Sequence, residues 1–424
     1  MFKVKINTKE LQLFSAILFL INPLLGLLTI FNIFFSNFVV NKRKLINLFI
    51  TFLSFFLAFL NSTKIPDNDL VHHGRQYLMA GDYSFFQYLG SIYKEPFYYI
   101  FNYIFFYLSN GSFIFWILTI TFFSYFMFFQ AVKMFFIKIN APTSQLVFGL
   151  VLAAFFPQLF SLSAHLIRQF IANAFLIYFA IDKIFYKRNK WWLVLAGVFI
   201  HASSIILFFL VYFKPLRNFK KYKFLNIALI LLLLSYQYIG KLLLYFFGDI
   251  NDTFKYILER ASADTTFDLG DFNSFNYVMM FTMITIALTS KKVIGRQLMK
   301  VNENIEDTEE NPVDKNEKRL LIEKDSQFFF STMIVFSFFI LANLNQSELS
   351  SRLFFYVFFY FPFILPLFIA RFKQRDLIYY IMSVLLMLFF TYRLVFGTWE
   401  YAPLLEIATN SFFSYLFQSP PSFY

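Results

Sequence analysis

The sequence predicts an all-α, polytopic integral membrane protein of about 10–12 transmembrane helices, with one long outer loop and interfacial or re-entrant helices. Three observations carry that prediction. First, 59% of the 424 residues are hydrophobic and only 15% are charged, where a soluble domain carries about a quarter charged residues. Second, the mean hydropathy is +0.60. Third, the apolar residues come in blocks of roughly twenty, the length that crosses a hydrocarbon core of about 30 Å. A soluble enzyme, a disordered chain and a nucleic-acid reader are excluded together, because a soluble surface of this size must be met by charge. Residues 1–424 read as one membrane domain.

The remaining composition bears on chemistry. No cysteine is present, which excludes disulfides and thiolate metal sites. The formal charge is +12, from 37 Lys and Arg against 25 Asp and Glu. In a membrane protein such an excess collects first in cytoplasmic loops and at the anionic surface, leaving a minority of basic residues for an anionic ligand. The 69 phenylalanines fit an AT-rich coding bias together with lipid-facing packing. The first apolar block lacks a small-residue cleavage site, so no cleavable leader is expected.

Taken in order, block 11–40 is too long for one straight span, and Asn22-Pro23 near its middle predicts a kinked or broken helix. Lys42-Arg43-Lys44 marks the cytoplasmic side, and 45–60 crosses outward. Residues 61–95 are polar and long for a connection, hence a candidate functional loop. Segment 96–108 is short and Tyr-rich and suits an interfacial helix. Segment 113–136 crosses back. Segments 146–162 and 166–181 then make a hairpin whose turn, 161–168, faces outward, before a basic cluster at Lys183, Lys187, Arg188 and Lys190. Further spans are expected near 224–247, 275–290, 327–343, 353–370 and 377–396. The acidic stretch 248–274 is expected outside, and the charged stretch 291–325 as a solvated cytoplasmic loop.

Segment 191–213 breaks this alternation, because basic clusters stand at both of its ends, the second formed by Lys214, Arg217, Lys220, Lys221 and Lys223. Either it is re-entrant and turns near His201, or its second cluster lies on the outer side. The first option places His201 in a cavity, since non-helical backbone at membrane depth survives only there. No internal repeat is evident, so an inverted-repeat transporter finds no support.

All four histidines, His72, His73, His165 and His201, fall in outer-side turns or in this ambiguous segment, without a metal-ligand spacing. Loop 61–95 holds Asp67, Asp69, His72, His73, Arg75, Asp82 and Glu95, the densest set of titratable groups on the outer side. Asp67-Asn68-Asp69 is formally an Asp-x-Asp, and a hydrophilic turn after Pro66 accounts for it better than a metal does. Arg168-Gln169 begins an apolar helix, where an arginine must be paired, face water or snorkel to headgroups. Arg352 stands at the outer start of a later span. Arginines converging from different helices bind phosphate or pyrophosphate in a bidentate manner.

Several short patterns occur in order: Asp69-Leu70 with His72-His73 and Tyr77; Glu95-Pro96-Phe97-Tyr98; Arg168-Gln169 with Ala172; His201-Ala202-Ser203; Arg352-Leu353 with Tyr356; and Tyr401-Ala402-Pro403. In these the chain resembles the Wzy-type repeat-unit polymerases of bacterial capsule and O-antigen synthesis, particularly the EpsG-like branch, over roughly residues 45 to 405. The resemblance implies a metal-independent glycosyltransferase of the bacterial inner membrane, without a cofactor and with its active site facing the periplasm. It would move a growing glycan from undecaprenyl pyrophosphate onto the next lipid-linked repeat unit. Its partners would be those lipid-linked oligosaccharides, membrane lipid and a chain-length regulator protein.

Under that reading the site needs cationic clamps for the pyrophosphate, a base for the acceptor hydroxyl and a lipid-side groove. Arg168 and Arg352 are the expected clamps, with Arg75 third; Asp69 or Glu95 is the expected base. His201 or His165 would position groups or act as base instead. His72, His73, Gln169 and Tyr401 complete the expected substrate contacts. An O-antigen ligase is the nearest rival, followed by a flippase for lipid-linked oligosaccharides. A membrane acyltransferase using His201 is the third.

Overall fold

The computed structural model describes residues 7–36, 41–64, 68–91, 95–248, 274–303, 312–343 and 347–396, with isolated helical positions at 255, 258–259 and 262. No strand occurs among these residues. Helix α1 (Thr8–Ile21) and α2 (Pro23–Phe35) precede α3 (Lys42–Ser62). Helices α4 (Asn68–Leu78), α5 (Phe85–Gly90) and α6 (Pro96–Leu108) follow, and then the long α7 (Phe113–Lys138). Helices α8 (Thr143–Phe155), α9 (Pro157–His165) and α10 (Ile167–Tyr186) lead to the short α11 (Trp191–Ile200) and α12 (Ile205–Tyr212). After α13 (Lys223–Leu234) and α14 (Tyr236–Phe247) come α15 (Ser274–Glu303), α16 (Pro312–Ala342), α17 (Ser347–Phe358), α18 (Phe361–Ile369) and α19 (Arg375–Phe396).

Five of these, α3, α7, α15, α16 and α19, are long and apolar enough to cross a membrane, and two bent pairs raise the count to seven among the described residues. The pairs are α8 with α9, bent by 46°, and α13 with α14, bent by 66°. Among the described residues this count is below the expected 10–12, since several apolar blocks are broken into half-length helices. Each break has a local cause. Asn22 ends α1 in an extended conformation and its side chain caps α2 at Leu25 N, while Pro23 opens α2. Pro157 and Pro362 open α9 and α18 in the same way.

The break at Asn22-Pro23 folds α1 and α2 back on each other. A Cβ on Gly26 would lie 2.5 Å from the Cβ of Phe19, so only glycine lets the two legs approach this closely. Both outer ends of this hairpin lie together, since Asn41 N donates to Thr8 Oγ1 and Lys42 Nζ donates to the carbonyls of Phe34 and Ser36. The same end of the molecule carries Lys133, bonded to Asn47, Lys138 over the Tyr186 ring, and Arg371, bonded to Thr289. We call it the basic end.

At the opposite end a buried polar knot ties three helices. Ser163 of α9 accepts from Asn61 Nδ2 of α3 and from Tyr125 OH of α7, each at 3.0 Å, and itself donates to the Phe160 carbonyl. Above it, α4, α5 and α6 form a cap with its own small core. The expected loop 61–95 is therefore mostly ordered helix. Leu70, Tyr77 and Ala80 recur at helical spacing and are buried, with Tyr77 stacked on Trp116 at 4.9 Å. Trp116 Nε1 in turn donates to Asn102 Oδ1 of α6.

The charged stretch 291–325, expected as a solvated loop, is helical through Glu303 and again from Pro312. Lys, Glu, Arg and Gln are good helix formers, and the stretch supplies an i,i+4 pair, Arg319–Glu323. Most of 248–274, including Asp249, Asp252, Asp264, Asp268 and Asp271, lies outside the described residues.

Candidate functional site

The ambiguous segment 191–213 resolves as a hairpin that enters and leaves at the basic end. Its legs are α11 and α12, ten and eight residues long, about half of what crosses a membrane. Gly197 of one leg faces the Phe208 ring of the other, where an added Cβ would lie 2.6 Å from the ring. At the mouth, Tyr212 OH donates to Asn189 Oδ1 at 3.0 Å, and Lys183 Nζ sits 3.6 Å above the Tyr212 ring. The chain turns at His201, whose backbone is extended (φ −153°), followed by a short 3₁₀ turn, Ala202–Ser204. Both basic clusters thus lie on one side, and His201 stands at the inner tip.

That tip meets the start of two other helices. Glu95 precedes Pro96, and a residue before proline is steered away from the helical region; it adopts the left-handed conformation, φ 60°. A non-glycine residue there costs about 1 kcal/mol, and strongly held contacts fix it. One carboxylate oxygen, Oε1, lies 3.0 Å from His201 Nδ1, and the other, Oε2, is ion-paired with Arg168 Nη1. Arg168 is in the first turn of α10, just past the break at Leu166. All three groups are largely enclosed: the side chains of Glu95, Arg168 and His201 are 8%, 19% and 18% exposed.

The surroundings are aromatic. The Arg168 guanidinium lies 5.8 Å over the Tyr98 ring, a cation–π contact. Tyr98 is buried and meets His73 edge-on at 5.4 Å. Burial, and then the nearby Arg168 and His72, push the pKa of His73 down to about 3, so its imidazole is neutral at ordinary pH. Below it, Gln76 Oε1 accepts from Tyr99 OH at 2.9 Å. On the far wall, Ser203, two residues past His201, shares a 2.9 Å hydrogen bond with Tyr356 OH of α17.

The structure therefore unites Glu95, Arg168 and His201 from three distant stretches, with His73 behind them. Asp69, His72 and Arg75 take the exposed face of α4, turned away from its buried Leu70, His73 and Tyr77. His165 is half-buried at the end of α9, and Gln169 is buried in the first turn of α10. Arg352 lies in α17 one helical turn before Tyr356; Asp67 and Tyr401 lie outside the described residues. Tyr98, Ser203 and Tyr356 also line this recess; each stands inside one of the short sequence patterns, yet none is among the sequence candidates. Among the described residues no three His, Asp or Glu side chains converge to hold a metal ion.

This arrangement offers an imidazole oriented by a carboxylate, beside a guanidinium with further N–H donors, in an aromatic recess. No curated protein and no solved structure matches the chain. The model of the EpsG family matches residues 47–415, a span that holds all three joined residues, and the chain accordingly belongs to the EpsG family of Wzy-type polymerase-like membrane proteins.

Proposed function

We propose that this protein is a repeat-unit polymerase. It transfers a growing glycan from undecaprenyl pyrophosphate onto the next lipid-linked repeat unit at the periplasmic face of the bacterial inner membrane. Family membership supports a polysaccharide-polymerase-like role, and the joining of Arg168, Glu95 and His201 is the single observation that carries the reaction. The acceptor hydroxyl oxygen forms a bond to the anomeric carbon of the donor glycan. The bond from that carbon to the pyrophosphate oxygen breaks, and the lipid pyrophosphate leaves with both electrons of that bond.

The residues divide this work. With Glu95 ionised, His201 donates Nδ1–H to Oε1, which leaves Nε2 as the acceptor ring nitrogen, free to take the hydroxyl proton. Glu95 is then a positioning residue that also stabilises the imidazolium as it forms. Arg168 uses one edge on Glu95, and its remaining N–H groups are available to the departing pyrophosphate, where charge develops. The Tyr98 ring lies beneath the Arg168 guanidinium carbon. Arg352, in the middle of α17, is the second proposed clamp. A guanidinium supplies positive charge without a metal, so chain extension should continue in excess EDTA.

Deletion with complementation tests this, reading surface-polysaccharide length on a gel. Cells lacking the protein should carry single repeat units, and neither Arg168→Ala nor His201→Ala should restore the ladder at normal protein level. Normal ladders from both variants would reject the assignment. Free polymer accumulating without attachment would indicate ligation instead.

A further inference from the structure

At the basic end, by the far end of α10 from Arg168, a cavity of about 1170 Å³ opens between α10, α12, α15, α16 and the turn 214–222. Eight basic side chains line it, against the single carboxylate of Asp325. That carboxylate is buried and already engaged: Lys187 Nζ and Arg217 Nη2 each lie 2.6 Å from it, one on each oxygen. The two ion pairs hold α10 and the turn against α16, and Asn226 Nδ2 fixes the turn by donating to the Pro215 carbonyl at 3.1 Å. The floor is thus built from two cations on one carboxylate, and the walls carry no carboxylate. Among the described residues no ion pair engages Lys214, Lys220, Lys221, Lys291 or Lys324, all of them exposed to the cavity or its rim.

Positive charge at this end is ordinary for a membrane protein. Its concentration around one concavity is not, because like charges brought together in a partly enclosed space repel one another unless a counter-charge fills it. Leu288 and Phe219, both largely exposed, stand at the rim beside these lysines. We propose that this cavity binds a clustered phosphate group, two or more phosphates, through Lys214, Lys291 and Lys324 with Arg217 on the floor. Lysines suit such a ligand as movable point charges, and a guanidinium adds directional donors. The same chemistry is offered by the headgroup of a multiply phosphorylated lipid and by a soluble diphosphate.

The test compares the purified full chain with a cavity triple variant, Lys214→Gln/Lys291→Gln/Lys324→Gln. A surface triple variant at the same end, Arg43→Gln/Lys44→Gln/Lys373→Gln, is the control. Thermal midpoints are read in neutral detergent against inorganic pyrophosphate, and in nanodiscs of phosphatidylcholine with and without cardiolipin. A soluble ligand is indicated if pyrophosphate raises the midpoint of the wild type and the surface variant, with the half-effective concentration moved at least about tenfold in the cavity variant. A lipid headgroup is indicated if cardiolipin alone has that effect with the same dependence on the cavity lysines. No response to either probe, or an equal loss in both triple variants, overturns the proposal.

Discussion

Replacing Glu95 with glutamine isolates what its charge does. The two contacts of the carboxylate are charge-assisted and each contributes about 1.5–3 kcal/mol, whereas a neutral hydrogen bond contributes about 1. Only the His201 contact becomes neutral, because Arg168 stays cationic, so the hydrogen-bond loss is about 0.5–2 kcal/mol, and Arg168 also loses its counter-charge. The geometry adds a sharper consequence. Glutamine offers one acceptor and one donor, so if its oxygen keeps Arg168, its amide must face His201 Nδ1. The imidazole then becomes the acceptor at Nδ1 and carries its proton on Nε2, the atom that should receive the hydroxyl proton. A base in the wrong tautomer loses about two to four orders of magnitude in rate. The assay is repeat-unit chain extension in membranes, with protein level measured alongside. Glu95→Gln should fail to extend chains at normal abundance, and should add little to the defect of His201→Ala, because both act through one proton transfer. A normal ladder from Glu95→Gln, or a fully additive double variant, would refute the carboxylate–imidazole reasoning.

Further outcomes follow from other parts of the fold. Ser163→Ala leaves Asn61 Nδ2 and Tyr125 OH facing an apolar methyl in a buried site, and should cost about 2–4 kcal/mol, read as a lower thermal midpoint in detergent. Gly26→Leu should prevent α1 and α2 from closing on each other, read as protease cutting within residues 8–35 that the wild type resists. His73 stays neutral in the folded protein down to about pH 3, while the unfolded chain protonates it below about 6.5. Stability from this group is therefore full above pH 6.5 and is lost as pH falls, by about 2 kcal/mol at pH 5. His73→Phe should flatten the fall of the thermal midpoint between pH 7 and 5, and an unchanged slope would show that His73 does not set it.

What the sequence made legible follows the physics of each signal. Hydropathy depends on composition over about twenty residues, so the membrane class could be read without any partner, as could the break at Asn22-Pro23. Glu95, Arg168 and His201 stood out singly, because an ionisable group beside apolar helix ends must be satisfied. That they satisfy one another was not legible, since Glu95 and Arg168 lie 73 residues apart and Glu95 and His201 lie 106 apart. Within α4 the sequence offered Asp69 as a base, Arg75 as a clamp and His72 and His73 as substrate contacts, without showing which of them turn inward. Only the burial of Leu70 and Tyr77 decides that His73 turns inward and the other three outward. The stretch 291–325 misled because mixed charge suits both a solvated loop and an exposed helix, and composition alone does not choose between them. The hairpin at 191–213 needed its mouth to be seen, where Asn189 and Tyr212 meet.

The hairpin is pinned at its mouth and carries at its far turn the ring that meets Glu95. Its legs are too short to reach the other surface, so the depth of His201 is set by how Lys183, Asn189 and Tyr212 seat the two ends. Sliding a leg by one residue would carry the ring about 1.5 Å along the axis, enough to part it from Glu95. Under the proposed mechanism, the seating of the two legs at the basic end thus sets the spacing between His201 and Glu95 at the hairpin's tip.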